Sequence, residues 1–586
     1  MNYSLKTYDG KKAPQENSLK LIKRFSVFLV GEKLRLGIAT LSIVINSAAN
    51  IVTPLLLGYA IDNYITRKDL AGITHFSLLL ALLYLIIFIT GFIQTRAMGT
   101  VGQNVLFKLR AAVFTKIQSL PLAFFNQNKL GDLISRINND TDRLNQFFSQ
   151  QLNQFVGNIF VIIGIGIFIF FVNPKLALIT VSSAVVLFLI TYFISPWIHR
   201  KNRLSLQSLG NLSAEIQESL NNFKVIVSFD RRDYFRDNFN KSNSENFSAS
   251  VKSGIANNIT SPIYDLFGNL ASLLVLGFGI TMILQGQLTI GILVSFLSYS
   301  DKFYSPLRQM AAIWSNAQAS LAAWNRILEI LNLTSDLPVL PYQKTEVTKH
   351  IMQFRHVSFS YTQKNVLHNV NFTFDKGKTY AIVGPTGGGK STTASLMARL
   401  YDPQKGEVLL EGRDIRTFTP EELSKKIGFI LQDQFLFTGT VGENIAYGNP
   451  DFMEYSKEKL EKLIETLDLC ALVAKFENGL DTEVTPTTEL ISLGQKQLIS
   501  FIRAIIRNPE LLIMDEATAN IDTITEGLLQ QIIDKLPQST TKVIIAHRFN
   551  TIKKADEIYF VNNGQVISAE TYEKSLQMIK DSKRTS

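Results

Sequence analysis

A glycine-rich run in the second half of the chain has the composition and spacing of a phosphate-binding loop. It follows a short apolar strand pattern, Thr379–Val383, and precedes an apolar helical stretch. Glycines let backbone N–H groups face phosphate oxygens, and the helix N-terminus adds partial positive charge. This strand–loop–helix order predicts a nucleotide site. The expected ATP-binding residues are Gly384, Pro385, Thr386, Gly387, Gly388, Gly389, Lys390, Ser391 and Thr392.

A second motif supplies the acidic groups that such a site needs. Leu511–Met514 is a run of four apolar residues, typical of a buried strand, and it ends in Asp515 and Glu516. Lys390 would contact the β- and γ-phosphates, while Ser391 and Asp515 would hold Mg²⁺ through oxygen ligands. Glu516 would polarise the attacking water as a general base. The two motifs together predict a site that hydrolyses ATP with Mg²⁺ as cofactor.

The first half of the chain contains long stretches without Asp, Glu, Lys or Arg. A helix needs roughly 20 apolar residues to cross a bilayer. Four uncharged stretches have about this length or more: 36–61, 71–94, 147–172 and 176–198. Residues 257–300 are apolar except for Asp265, and a turn at Gln285–Gln287 would divide them into a fifth and a sixth span. The sixth has only 13 uncharged residues before Asp301, so its prediction depends on the parity of the crossings.

Basic residues predict the orientation of the spans. The segments before residue 36, over 95–146 and over 199–256 hold 24 Lys and Arg, against three in the alternate connections. This bias places the N-terminus in the cytoplasm. An ATP site must also face the cytoplasm, so the number of crossings is even and six are expected. Leu19–Val30 is either an amphipathic helix on the inner membrane surface or an extension of the first span.

The chain is therefore expected to have two domains. The first is an all-α, six-helix transmembrane domain over residues 1–335, with a cytoplasmic N-terminal helix and two long intracellular loops. A linker follows at 336–350, where the segment Asp336–Pro341 contains two prolines. The remainder, 351–586, alternates β-rich runs with helical patterns, which predicts an α/β P-loop nucleotide-binding domain.

The overall composition excludes several classes of protein. Only 18% of the residues are charged and 46% are hydrophobic, which excludes a disordered chain and favours a membrane protein. Cys470 is the only cysteine, so no intramolecular disulfide can form. The net charge of +10 is assigned to cytoplasmic loops that face anionic lipid, and no nucleic-acid partner is predicted. High Ile, Asn, Lys and Phe content is compatible with an AT-rich bacterial gene, and hence with a plasma (inner) membrane location.

Residues 350–568 resemble the nucleotide-binding domain of ATP-binding cassette (ABC) transporters, in the two motifs above and at four further positions. The resemblance implies that Gln432, in the Q-loop, senses Mg²⁺ and contacts the membrane domain. It implies that His547 contacts the γ-phosphate and that Tyr361 stacks on adenine. It also implies that Asp522, in the D-loop, crosses a dimer interface.

The membrane half carries the same resemblance. Ser119–Ile137 is similar to the first intracellular loop of ABC exporters, in which a short helix docks on the nucleotide-binding domain and transmits its motion. With six preceding spans, the whole chain resembles an exporter-type half-transporter, which implies a second half-transporter as partner. The fused six-span arrangement disfavours an importer of the family, and it excludes a soluble DNA-handling ATPase of the same superfamily.

The family's signature motif, LSGGQ, is altered here. Its residues would act in trans on ATP bound by the partner, and they are Ser492, Leu493, Gly494 and Gln495. Leu493 replaces a glycine, while Pro486 and Thr488 replace the usual Glu and Gly of the preceding loop. An altered signature beside an intact Glu516 fits one subunit of a heterodimeric exporter. The alternatives are a homodimer with two equal, weakened sites and neutral drift at Leu493.

Polar residues within the spans are expected to face a cavity or another helix. They are Asn46, Asn50, Gln154, Asn158, Asp265 and Asn269. Asp265 would either contact a cationic or polar substrate, or lie beside a basic residue or a helix end. The predicted function is ATP-driven export, or leaflet-to-leaflet flipping, of a small hydrophobic, lipid or peptide substrate across the bilayer. The alternative is a low-turnover ATP-binding regulatory or channel-like subunit of a heterodimeric complex.

Overall fold

Two compact units contain the residues that the computed structural model describes, which are 3–5, 26–342, 348–362, 364–432, 434–485, 491–515, 527, 529–531, 533, 536–545, 554–569, 573–574 and 577–578. The helical unit comprises Leu5–Gln118 and Lys129–Leu333. The nucleotide unit comprises the N-terminus up to Ser4, Ser119–Asn128 and Thr334–Ser586. Residues 119–128 therefore belong with the C-terminal part of the chain, although they lie in the middle of the helical sequence.

Helices of 6 to 49 residues account for most of the chain up to residue 331. They are α1 (Lys33–Ala60), α2 (Leu70–Gln118), α3 (Leu122–Gln127), α4 (Leu130–Ser135), α5 (Thr141–Gln146), α6 (Leu152–Val172), α7 (Pro174–Asn221), α8 (Phe223–Ser228), α9 (Arg232–Asn258), α10 (Thr260–Leu284) and α11 (Ile290–Leu331). π-helical turns at Ile61–Ile65, Arg136–Asp140 and Phe147–Gln151 adjoin some of them. Of the segment Leu19–Val30, the described part is a single 3₁₀ turn at Ser26–Leu29 and Val30.

Five segments of the helical unit are long and apolar enough to span a membrane. They are Lys33–Ile65, Leu70–Gln118, Leu130–Val172, Pro174–Asn221 and Arg232–Leu284. Helix α11 has 42 residues, which is also long enough to span a bilayer, but Asp301, Lys302 and Arg308 interrupt its apolar sequence. The predicted turn at Gln285–Gln287 separates α10 from α11, and Gly286 adopts the left-handed conformation there (φ +73°).

Local sequence explains where the longest helices begin and how they pair. Helix α7 starts at Pro174 because Asn173 Oδ1 accepts hydrogen bonds from the backbone N–H groups of Lys175 (3.1 Å) and Leu176 (3.3 Å). With 48 residues, α7 is about 72 Å long, far more than a bilayer crossing needs.

Helix α9 packs against the part of α7 that lies beyond its apolar segment. Side-chain amides form part of this contact, as in the 2.9 Å hydrogen bond from Asn202 Nδ2 to Asn257 Oδ1. This pair corresponds to the second predicted intracellular loop.

The nucleotide unit alternates strands and helices after residue 350. Its strands are β1 (His350–Phe359), β2 (Leu367–Asp375), β3 (Thr379–Val383), β4 (Lys405–Leu410), β5 (Arg413–Asp414), β6 (Ile427–Ile430), β7 (Gly439–Thr440), β8 (Glu483–Val484), β9 (Leu511–Asp515), β10 (Thr541–Ile545), β11 (Glu557–Asn562) and β12 (Gln565–Ser568). Its helices in this range are α12 (Lys390–Met397), α13 (Pro420–Lys426), α14 (Val441–Ala446), α15 (Lys457–Thr466), α16 (Cys470–Val473) and α17 (Leu493–Ile505). Cys470 is exposed at the start of α16.

A largely parallel sheet forms the centre of this unit. Its strand order is β12-β11-β3-β10-β9-β6, and only the pairing of β12 with β11 is antiparallel. Alternate residues of β3 enter different cores, with Ala381 and Val383 on one face and Tyr380 and Ile382 on the other. Both faces are thus covered, which explains the uninterrupted apolar runs of β3 and β9. The antiparallel sheet β2-β1-β4-β5 accompanies it.

Candidate nucleotide-binding site

The glycine-rich loop lies at the carboxyl end of β3, the edge at which open α/β sheets bind ligands. Gly384 (φ +149°) begins the turn, and a Cβ atom there would overlap the carbonyl oxygen of Val561 on β11. Gly389 (φ +114°) occupies the N-cap of α12 in a left-handed conformation. Glycine is therefore required at both ends of the loop, at one for close approach and at the other for backbone conformation.

The side chain of Lys390 folds back so that its ammonium group contacts the glycine-rich loop. Its Nζ donates hydrogen bonds to the carbonyl oxygens of Gly384 (2.9 Å) and Pro385 (3.1 Å). Only 6% of Lys390 is exposed, so the ammonium is held in place and its electrostatic effect is little screened by water. An anionic group in the loop would be within reach of this ammonium and of the amides around it.

The structure brings together two of the three predicted Mg²⁺ ligands. The Ser391 hydroxyl donates to Asp515 Oδ1 at 3.4 Å, and Asp515, the last residue of β9, is 6% exposed. A hydroxyl and a carboxylate at this separation are the oxygen ligands that Mg²⁺ prefers. Gln432 is exposed two residues after β6, which pairs with β9 so that Ile430 lies opposite Met514. It therefore follows the neighbouring strand at the same edge of the sheet as Asp515.

Three other predicted site residues lie outside the described part of the chain. They are Glu516, His547 and Asp522. Glu516 directly follows the described strand β9, and β10 ends two residues before His547, with Ile545 opposite Asp515. Pro486 and Thr488, in the loop before the signature, are also outside the described residues.

Tyr361 stands beside the phosphate loop with one face open. Its hydroxyl donates to Thr392 Oγ1 at 3.2 Å, and 44% of the residue is exposed. Its ring packs edge-to-face against Phe359 (4.9 Å between centroids) and Tyr401 (5.1 Å). The hydrogen bond and the ring contacts fix the plane of an exposed aromatic next to α12, which suits stacking on a purine.

The altered signature forms the start of α17. Ser492 caps the helix, since its Oγ accepts from the Gln495 N–H (3.2 Å) while Gln495 Oε1 accepts from the Ser492 N–H (2.9 Å). Leu493 is the first helical residue, with an ordinary negative φ, and it is 51% exposed. The backbone therefore does not require glycine at position 493. Any effect of leucine in place of glycine comes from its side chain, which is exposed at the N-terminus of α17.

Tyr3, near the N-terminus, contacts two other segments of the nucleotide unit. Tyr3 is 1% exposed, and its hydroxyl accepts from the Asp336 N–H (2.7 Å) and donates to the Thr334 carbonyl (3.1 Å). Its backbone N–H donates to Gln127 Oε1 at 2.7 Å, and its ring meets Phe124 of α3 edge-to-face. Burial, and after it the nearby Asp336 carboxylate, raise the pKa of the Tyr3 phenol above its usual value, although the hydrogen bond from the Asp336 backbone N–H acts in the opposite direction. A tyrosine in a polar N-terminal segment carries no signal in the sequence that would have identified this role.

Helix α3, within the segment that resembles the first intracellular loop, contacts the aromatic residues beside the nucleotide site. Asn126 Nδ2 donates to the Tyr401 hydroxyl at 2.8 Å. Burial raises the pKa of Tyr401, so its hydroxyl stays protonated at neutral pH. The contact joins α3 to the same aromatic group that holds Tyr361.

Comparison with known proteins agrees with this geometry. Residues 36–307 match the family model described as the ABC transporter transmembrane region, and residues 367–519 match the one described as ABC transporter. The chain is 32% identical over 572 residues to the ABC transporter ATP-binding protein YfiC of Bacillus subtilis (strain 168), covering 97% of this chain and 94% of that protein. This chain belongs to the ABC transporter family.

Two further similarities are to a relative and to a solved structure. A fatty acid ABC transporter ATP-binding/permease protein of Mycobacterium bovis is 31% identical over 500 residues, covering 85% of this chain and 79% of that protein. The structure of a bacterial Atm1-family ABC exporter with ATP bound superposes with a TM-score of 0.78 at 24% identity, covering 94% of this chain and 97% of the exporter. The transporter thus has the exporter fold, with its membrane and ATPase domains in one chain.

Membership of the family settles the general activity. The ABC transporter is an integral membrane protein that couples ATP hydrolysis to transport, and its nucleotide unit is the ATPase. One chain carries one membrane domain and one ATPase domain, so it is a half-transporter and dimerises to function.

Proposed function

We propose that this ABC transporter exports a hydrophobic or amphipathic molecule, or flips it between leaflets, and that hydrolysis of Mg-ATP powers this transport. The observation that carries the proposal is the pairing of Ser391 with Asp515 beside the buried Lys390. Lys390 and the loop amides would hold the phosphates, Ser391, Asp515 and Gln432 would hold Mg²⁺, and Tyr361 would stack on adenine. Glu516 would activate water, while His547 would contact the γ-phosphate.

The site is completed by a second half-transporter. Ser492, Leu493, Gly494 and Gln495 would close over the nucleotide bound by the partner, with Asp522 at the interface. The Ser492 cap supports this role because it presents the N-terminus of a 13-residue helix, where anions are stabilised. The membrane domain would cross the plasma (inner) membrane six times, with α11 as the sixth span.

A lipid-like substrate is supported by one relative and by the composition of the helical unit. The related protein of Mycobacterium bovis is described as a fatty acid transporter. Large apolar side chains are exposed along the spans, among them Phe88, Phe92 and Phe278. Such surfaces suit contact with acyl chains, whether of the bilayer or of a transported molecule.

A second function is favoured by the exposed Leu493. Its side chain occupies the end of α17 that would meet the partner's γ-phosphate, and this could slow closure of one composite site. The chain would then be the low-turnover ATP-binding member of a heterodimeric transporter or a regulatory subunit.

ATPase activity of the chain in lipid nanodiscs, measured together with the mass of the particle, distinguishes these functions. A dimer whose Mg²⁺-dependent activity is abolished by Glu516→Gln supports a self-sufficient homodimeric exporter. A monomer, or a dimer no more active than the variant, contradicts it and points to a missing partner or a regulatory role. Glu510→Gln, at a half-exposed carboxylate just before β9 that forms an ion pair with Lys426, is the matched control and is expected to leave turnover unchanged.

A further inference from the structure

Helices α1 and α11 are joined by hydrogen bonds that compensate for a proline. Pro54 lies inside α1 and has no N–H, so the carbonyl of Asn50 lacks its usual helical partner. Side chains of α11 donate to carbonyls along this turn: Ser295 to Pro54 (2.8 Å), Tyr299 to Ile51 (2.7 Å) and Lys302 to Asn50 (3.1 Å). The spacing of the three donors, four and then three residues, places them on one face of α11.

Lys302 differs from the other two donors because it brings a charge. Hydroxyl groups satisfy the carbonyls of Pro54 and Ile51, so a neutral donor would suffice at Asn50 as well. The ammonium also contacts Asn50 Oδ1 at 3.2 Å, while Asn50 Nδ2 donates to Asn46 Oδ1 at 3.0 Å. All of these partners are uncharged oxygens.

Within the described part of the chain, no carboxylate lies within 4.0 Å of the Lys302 ammonium. Asp301, its neighbour in sequence, is exposed. The other basic residue in this part of α11, Arg308, forms an ion pair with Asp265 of α10. The helical unit thus pairs Arg308 with a carboxylate, whereas the described hydrogen bonds of the Lys302 ammonium go to amide and carbonyl oxygens, and Asp301 forms no ion pair with it within 4.0 Å.

The position of Lys302 makes this arrangement costly. Its partner Asn50 lies 14 residues from the start and 11 residues from the end of the uncharged stretch 36–61, or about 16 Å from the nearer end. An ammonium near mid-depth in a membrane-spanning domain is expensive, and such residues mark substrate pathways. Lys302 is only partly buried, so it remains accessible to a ligand.

We propose that Lys302 binds the anionic head group of the transported amphiphile, a carboxylate or a phosphate. The inference rests on the proposed export of an amphipathic molecule and names its charge. The head group would supply the missing counter-charge and accept a charge-assisted hydrogen bond from Nζ. The acyl part would remain among apolar side chains.

Binding and ATPase stimulation in phosphatidylcholine nanodiscs test this assignment. Four probes with one long hydrocarbon chain separate the head groups: oleate, lysophosphatidic acid, lysophosphatidylcholine and oleylamine. Lys302→Met removes the charge and keeps the length, whereas Lys302→Arg keeps the charge. Tyr299→Phe is the matched control, since it removes a neighbouring hydrogen bond between α11 and α1 without changing the charge.

The expected result is that an anionic probe binds the wild-type chain, and that Lys302→Met weakens its binding at least tenfold while Lys302→Arg and Tyr299→Phe change it less than threefold. The tighter of oleate and lysophosphatidic acid identifies the head group. Equal binding of anionic and zwitterionic probes, or unchanged affinity in Lys302→Met, overturns the inference while export of an amphiphile stands. An equal loss in Tyr299→Phe also overturns it, because the effect would then come from the helix contact. If no probe binds or stimulates the wild type, the proposed amphiphile export fails as well.

Discussion

Asn126 of helix α3 and Tyr401 of the nucleotide unit are joined by a 2.8 Å hydrogen bond between residues 275 positions apart in the sequence. Tyr401 in turn packs edge-to-face on Tyr361, the exposed ring beside the phosphate loop. The two contacts form a direct connection from the segment at 119–128 to the candidate adenine position.

Tyr401→Phe is expected to weaken the contact between α3 and Tyr401, and so to reduce the coupling of α3 to the nucleotide site. The substitution removes one hydrogen bond, worth about 1 kcal/mol, and keeps the ring packing. Hydrogen exchange over residues 119–128 should quicken, and substrate-stimulated ATPase should fall more than basal ATPase. Tyr342→Phe, at an exposed tyrosine within the linker, is the control. Unchanged exchange in Tyr401→Phe would show that the hydrogen bond does not hold the helix.

Tyr3 is expected to fasten α3 to the segment that precedes the nucleotide-binding fold. Tyr3→Phe loses the two hydroxyl hydrogen bonds and should weaken this docking by about 1 kcal/mol. Tyr3→Ala also empties a buried ring site and should cost about 3 kcal/mol. Limited proteolysis between residues 119 and 128 reports the docking. Equal protease resistance in wild type and Tyr3→Ala would contradict the expectation, and Tyr342→Ala controls for loss of an exposed ring.

Leu493→Gly is expected to raise turnover by about tenfold if the leucine side chain obstructs the partner's nucleotide, a change of about 1.4 kcal/mol in the barrier. The backbone at this position is already helical, so the gain would come from removing the side chain. Leu493→Ala should give most of the increase, since alanine is small and favours the helix. Steady-state ATPase in nanodiscs measures both. Unchanged or lower turnover in the two variants would support neutral drift at this position.

Glu411 is expected to stabilise the nucleotide unit in a pH-dependent manner. Burial acts to raise its pKa, but hydrogen bonds from Lys376 and Lys426 outweigh burial and lower the pKa to about 2. A depressed folded-state pKa gives stability that is present above the unfolded-state pKa, near 4.5, and is lost as the pH falls toward 2.

Glu411→Gln should therefore lower stability at pH 7 by about 1 kcal/mol, a figure reduced for the partial exposure of the group. Thermal unfolding of the full chain at pH 7 and at pH 4 measures the effect, and the difference from wild type should shrink at the lower pH. Glu421→Gln, at an exposed carboxylate on α13, should show no such dependence. A difference that grows on acidification would contradict the assignment.

The parts of the site that sequence could predict are those made by neighbouring residues. The phosphate loop and the apolar strand that ends in Asp515 each occupy one short segment, so the types and order of their residues are enough to predict them. The pairing of Ser391 with Asp515 follows from the standard order of strands in such a sheet. Contacts between segments distant in the sequence, such as Asn126 with Tyr401, depend on tertiary packing, which a local sequence pattern does not predict.

The partners of the charged residues in the helical unit also could not be predicted from the sequence. The sequence is compatible with two roles for Asp265, contact with a substrate or a position beside a basic residue, and its ion pair with Arg308 corresponds to the second. Asp301, Lys302 and Arg308 lower the hydropathy of α11, so hydropathy alone does not predict this span, yet Lys302 contacts α1 and Arg308 contacts α10. The sequence showed that the charges were there, but not which of them has an acidic partner.

The exposed thiol of Cys470 has a practical consequence. Because the chain contains no other cysteine, a maleimide spin label attaches at one defined point of α16 without any prior mutagenesis. Two copies in one particle would carry two identical probes, and pulsed electron resonance would give a single inter-probe distance for each conformation. A particle containing a different, cysteine-free partner would give no dipolar signal at all, so the native protein carries its own reporter of both assembly and motion.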